Sequence, residues 1–146
     1  MSRERCCHRH RGAGPGPCSC EMGNLYRYCE PIVLLTLARL GHAHGYQVAQ
    51  AAEPLAVTHA GLDNTVVYQT LRRLEDSGYV VSSWETGGRG PARRIYTLTD
   101  TGREHLREWA AVLEPLAASL DRLARDCRAA SDRMAREDGP AVLAPA

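Results

Sequence analysis

No run of this 146-residue sequence approaches the roughly 18 consecutive apolar residues that a membrane-spanning helix needs. The longest candidate, Ile32 to Leu40, is interrupted by Thr36 and Arg39, so no membrane partner is expected. An apolar leader is missing as well, because the basic first residues run into Cys, His, Gly and Pro rather than a hydrophobic h-region. A cytoplasmic location is therefore expected, with thiols kept reduced. Net charge is almost absent, at +1 with 24% of residues charged, so attraction to a polyanion has to come from where the charges sit. Lysine is missing altogether, and no function follows from that. Internal repeats are not found. The Cys and His residues have no orienting group or shaped pocket beside them, so no enzyme is expected. What remains is room for one domain with a genuine core and an extension at either end.

The stretch from Leu62 to Val81 carries most of the information. Val67, Leu71 and Leu74 are separated by four and then three residues, which places them on one face of a helix and points them at a core. Successive residues turn by about 100°, so Thr65, Gln69, Arg72, Arg73 and Asp76 fall on the opposite face with Tyr68 at its border. Asp63 is suited to cap the start, and Gly78 to supply the left-handed residue that ends it. Tyr79 to Trp84 is rich in β-branched and aromatic residues, Thr86 to Ala92 is a turn-rich connector, and Arg93 to Thr99 resumes an extended pattern. A helix with a polar outer face followed at once by a hairpin carrying Arg89, Arg93 and Arg94 is the layout of a winged helix. In such a fold the helix enters the major groove of double-stranded DNA while the wing meets phosphates or the minor groove.

Four segments of the chain resemble the PadR-like transcriptional regulators. They are Glu30-Pro-Ile-Val-Leu-Leu-Thr-Leu37, His44-Gly-Tyr46, the run from Thr65 to Gly78, and the run from Gly90 to Gly102; together they cover about the middle half of the chain. The resemblance implies a winged-helix dimer that represses transcription. Residues 1–21 depart from the family pattern, which tends to begin close to the first helix.

That departure holds Cys6, Cys7, His8, His10, Cys18 and Cys20 among arginines, glycines and prolines, with Cys29 just beyond. Thiolate with imidazole selects zinc or an iron–sulfur cluster, although Cys-Cys and Cys-x-Cys do not match the Cys-x₂-Cys pairs of zinc fingers. A metal or cluster site, a thiol switch and a basic tail with incidental cysteines all stay open. His42 and His44 could also suit a metal, but His44-Gly45-Tyr46 reads more simply as the entry to a second helix.

Downstream of that departure, Glu30-Pro31 opens a first helix whose Val33, Leu34, Leu37 and Leu40 are expected under the recognition helix. The second helix should run from about Tyr46 to Glu53, where Pro54 stops it. After the wing, Leu106, Trp109, Leu113, Leu116, Leu120, Leu123 and Cys127 alternate spacings of three and four, the mark of a heptad seam. A small winged domain cannot bury such a seam, so these residues are expected at a homodimer interface, with Pro115 kinking the helix or dividing it in two.

The expected fold is mainly α with a β-hairpin wing (α+β). Residues 1–21 form the extension, 22–100 the winged helix-turn-helix domain, 101–136 the dimerisation helix and 137–146 a disordered tail. Thr65, Gln69 and Arg72 are the candidates for base edges, and Tyr68, Arg73, Arg89, Arg93 and Arg94 for phosphates. The expected function is that of a homodimeric repressor on a palindromic operator, under control of a metal or cluster at the cysteines. Two alternatives stand beside it. One is control by an aromatic small molecule, since in some members of the family a tryptophan on this helix lines a cavity between subunits, although Trp109 also fits an ordinary core position. The other is a protein-interaction module that binds no DNA.

Overall fold

The computed structural model describes residues 28–57 and 61–137. In chain order it contains α1 (Cys29–Leu40), β1 (His42–His44), α2 (Gly45–Ala52), a 3₁₀ turn (Glu53–Leu55), α3 (Asn64–Asp76), β2 (Val80–Glu85), β3 (Arg93–Leu98) and α4 (Asp100–Glu137). The strands form one antiparallel sheet in the order β1-β3-β2. The described residues fall into two units, one ending at Arg107 and the other beginning at Glu108.

The first unit is built around apolar side chains from three helices and one sheet face. Val33, Leu34 and Leu37 of α1, Val48, Ala49 and Ala52 of α2, and Val67, Leu71 and Leu74 of α3 are all buried. Ala43, Val80, Tyr96 and Leu98 close this core from the sheet. The three residues expected on the inner face of α3 are thus where their spacing put them. Leu40 is not, being 42% exposed at the last position of α1, where the helix has run past the core. Thr36 is buried inside α1 and donates its hydroxyl to the Ile32 carbonyl at 2.7 Å, which satisfies the one polar group its side chain brings inside.

Both ends of α3 are fixed by local chemistry. The Asp63 carboxylate accepts the Thr65 amide at 2.8 Å, the bond an N-cap residue is chosen to make. At the other end the Gly78 amide donates to Glu75 and the Tyr79 amide to Leu74, with Gly78 at φ +77°. This is a Schellman closure, and it turns the chain directly into β2.

Two features differ from the sequence reading. His42 to His44 is a strand, paired with Thr97, Tyr96 and Ile95 of β3. Three residues are too few to show a period, and their partner lies some fifty positions away, so no local signal marked it. The last helix is also continuous through Pro115, so of the kink and the division expected there the division does not occur. Proline removes the hydrogen bond to the Ala111 carbonyl and crowds it, but both residues are exposed, so that carbonyl can tilt outward and water can take it.

The start of α4 is locked to the end of α3. Thr99 donates its hydroxyl to the Gly78 carbonyl at 2.7 Å and accepts the Gly102 amide at 3.0 Å, while its own amide reaches Tyr79 at 3.1 Å. Tyr79 stacks on His105 with ring centroids 4.1 Å apart, and His105 Nε2 lies 2.6 Å from Glu30 Oε1. One residue, Thr99, thereby ties the wing's exit to the helix that precedes the wing.

Candidate nucleic-acid interface

Because Val67, Thr70, Leu71 and Leu74 are turned inward, Thr65, Tyr68, Gln69, Arg72 and Arg73 are left exposed along the other side of α3. Beside them runs the β2–β3 hairpin, joined in register from Val80↔Leu98 to Glu85↔Arg93, with Arg89 exposed in its connector. Arg72, Arg89 and Arg93 have no carboxylate partner among the described residues. Arg73 is drawn to Glu30 at 3.7 Å, with its side chain still 68% exposed.

Tyr68 is placed by α2. Its ring covers Gly45, where an added Cβ would collide with it, so the glycine of His44-Gly45-Tyr46 lets the two helices meet at this point. The ring then borders a concave seat of about 660 Å³ shared with His44 and with Tyr46, Gln47 and Gln50 of α2, and with Arg93, Arg94 and Tyr96 of the wing. The first-turn amides of a helix have no partners within the helix and carry its positive dipole end. An opening edged by arginine and tyrosine side chains at the N-terminal end of a helix suits an anionic oxygen.

Arg94 is placed differently from Arg93. It alternates to the inner face of the hairpin, where its Nη2 lies 3.2 Å from Glu75 Oε2. Its guanidinium also sits 5.8 Å from the Trp84 ring and 5.9 Å from the Tyr96 ring. Ser82 donates its hydroxyl to the same Glu75 carboxylate. Sequence alone places Arg94 with the phosphate-binding arginines and gives no sign of Glu75 or Ser82 as its neighbours. Alternation along β3 could have separated Arg94 from Arg93, since the two adjacent residues must face opposite sides of the sheet.

The candidate metal ligands divide. Cys6, Cys7, His8, His10, Cys18 and Cys20 lie outside the described residues. Cys29 is only 1% exposed, at the first position of α1, and its Sγ accepts the Thr70 hydroxyl at 3.4 Å. Burial pushes its thiol up from the ordinary value, which opposes the thiolate that a metal requires. Cys29 is a core residue, and the reading that grouped it with the soft ligands is corrected on that ground. His44 is engaged as well: its ring nitrogens lie 3.4 Å from the Arg94 carbonyl and 3.3 Å from a Glu85 carboxylate oxygen. Among the described residues no group of three or more His, Cys, Asp or Glu could hold a metal ion.

Of the seam residues, Leu106, Trp109, Leu113 and Leu116 are half-buried, whereas Leu120 and Leu123 are 51% and 57% exposed. The alternation does not stop at Cys127, because Ala130 and Met134 follow at three and then four residues. Within the second unit the described residues are a single helix from Glu108 to Glu137, with no other described element in that unit to cover this stripe. Among the described residues no helix is long and apolar enough to cross a membrane.

Comparison with known proteins agrees with this geometry. The sequence model of the Transcriptional regulator PadR-like family matches residues 33–108. The Negative transcriptional regulator PadR of Bacillus subtilis (strain 168) is 25% identical over 87 residues, which are 60% of this chain and 48% of that protein. The chain thus spans about half the length of that curated relative. Among solved structures, a PadR family transcriptional regulator from Eggerthella lenta DSM 2243 is similar with a TM-score of 0.57 and 29% identity, over 73% of this chain and 90% of that one. A PadR family regulator from Clostridium difficile R20291 shares the fold with a TM-score of 0.57 at 18% identity, over 66% of this chain and 98% of its own.

Proposed function

Because the chain belongs to the PadR-like family of transcriptional regulators, we propose that it acts as a homodimeric repressor seated on a two-fold related operator. The observation that carries this reading is the exposed row Thr65, Gln69 and Arg72 on α3 beside a hairpin whose Arg89 and Arg93 have no acidic partner among the described residues. Thr65, Gln69 and Arg72 read base edges in the major groove, where an arginine can bond both acceptors of a guanine. Tyr68, Arg73, Arg89 and Arg93 hold phosphates, one of which occupies the seat between α2 and the wing. Two copies joined along α4 carry the two reading helices to two half-sites.

Selection of binding sites from random DNA tests this directly, and failure to enrich any sequence would leave only the protein-interaction reading. Once an operator is found, Arg72→Ala should cost about 1–3 kcal/mol and relax preference at one position, whereas Arg89→Ala should weaken every sequence alike. The two also differ in salt: Arg89→Ala should flatten the slope of log affinity against log salt by about 0.9, the signature of one lost phosphate contact.

Control by a metal or cluster rests on the four cysteines and two histidines between residues 6 and 20. Zinc or iron bound there would act through a difference in affinity between two dimer arrangements. With Cys29 buried in the core, Cys29→Ala should leave the metal content of anaerobically purified protein unchanged, and Cys18→Ala with Cys20→Ala should abolish it. Equal operator affinity of metal-loaded and stripped protein would remove the regulatory role.

A further inference from the structure

The hairpin has two faces, and its arginines divide between them. Arg93 lies on the outer face opposite Glu85, while Arg94 lies on the inner face opposite Trp84 in the register. The inner face begins at its base with Val80 and Leu98, both buried in the core. It continues through Ser82 and Tyr96 to Trp84 and Arg94, which lie past the last core residue. Glu75, on the last turn of α3, meets this upper part. Its carboxylate accepts the Ser82 hydroxyl and faces two contacts from Arg94 Nη2, at 3.2 and 3.4 Å. Both partners are partly shielded, with side-chain exposure of 39% for Arg94 and 25% for Glu75. Arg94 Nε is buried without a hydrogen-bond partner, and the guanidinium lies close to two rings. Although Arg94 also lines the seat beside Tyr68 and Arg93, the contacts its guanidinium makes among the described residues are to Glu75 and the two rings.

From this arrangement we infer that Arg94 is a positioning residue: with Glu75 and Ser82 it latches the wing to the end of the reading helix and fixes the angle between the two DNA-contacting elements. This rests on the DNA-binding reading above and deepens it. Without the latch the upper hairpin is held by its pairing with β1 and the His44–Glu85 contact and no longer by the last turn of α3, so the angle at which Arg89 and Arg93 are presented relative to that helix is less tightly fixed. A guanidinium suits the task because its planar fork can bond a carboxylate while stacking on aromatic faces, and lysine does neither as well.

A latch and a phosphate contact give opposite results in an operator titration across salt concentrations. If Arg94 positions the wing, Arg94→Lys, which keeps the charge, should lose about fivefold to tenfold in affinity with the salt slope unchanged, a coupling ordinary for residues in one network. If Arg94 instead holds a phosphate, Arg94→Lys should bind nearly as well as the wild type, and Arg94→Gln should flatten the slope by about 0.9. Glu75→Gln separates the two independently. Removing a negative charge near DNA should tighten binding by simple electrostatics, but loss of the latch should weaken it. The double variant should then be no worse than either single one, because both remove the same contact.

Circular dichroism of each variant checks that the fold persists. Tighter binding by Glu75→Gln, or full affinity in Arg94→Lys, overturns the inference. Wild-type protein that selects no operator would fail the DNA-binding reading itself, a result distinct from either of these.

Discussion

Leu120→Glu combined with Leu123→Glu should convert the protein to a monomer, as read by light scattering or sedimentation, and should lower operator affinity by at least about 100-fold. Apolar residues alternate at spacings of three and four along α4 from Leu106 to Met134. Leu120 and Leu123 are more than half exposed in the single chain, and the second unit offers no other described element to cover them. A seam of this period is buried by packing knobs into the holes of a facing helix, and two carboxylates in it would be left uncompensated in an apolar contact. The loss of affinity is large because the second half-site is engaged by a reader already held nearby, an advantage that disappears with the dimer. Ala118→Glu with Ala129→Glu adds the same charge on the far side of the helix and should leave both assembly and binding intact. A doubly substituted seam that remains dimeric would show that the interface lies elsewhere.

Gly102→Ala should destabilise the protein by about 2–3 kcal/mol, the upper part of the range for forcing a methyl into packed structure. Gly102 is buried in the first turn of α4, and a Cβ there would run into the backbone carbonyl of Tyr79, with the Leu98 side chain next to it at 3.2 Å. A flexible side chain could give way, but this carbonyl also accepts the Thr99 amide. The helix start would have to move, and with it the Thr99 link to Gly78. Gly78→Ala is the instructive comparison. Its φ is +77° at the left-handed position of the Schellman closure, but nothing lies within 4 Å of the added atom, so it should cost only the left-handed penalty of about 1–2 kcal/mol. Urea midpoints of the two variants decide the order. Equal or reversed costs would mean that α4 does not pack on Tyr79 as described.

Much of the helix and hairpin that form the candidate DNA-binding surface was legible in the sequence because its signals are local. The inner face of α3, its aspartate cap and its glycine stop are all set by residues within one or two turns of each other. The hairpin is marked by its β-branched and aromatic strands and a glycine-rich connector. What escaped was set by partners distant in sequence. β1 is a strand only because β3 lies beside it. Cys29 looked like one more soft ligand near Cys18 and Cys20, and became a core residue when Thr70 of α3 was laid over it. Arg94 looked like its neighbour Arg93 until the pleat turned it towards Glu75.

By itself, then, the sequence determined which helix presents a polar face, where that helix starts and stops, and that a basic hairpin follows. Each of these is fixed by short-range geometry: the helical period, a cap, a left-handed residue. Tertiary structure alone decided which polar and soft side chains remain available. A charge or a thiol is free only if folding brings it no partner and does not bury it. For Arg72, Arg89 and Arg93 the described fold supplies no carboxylate; for Arg94 and Cys29 it supplies Glu75 and the core.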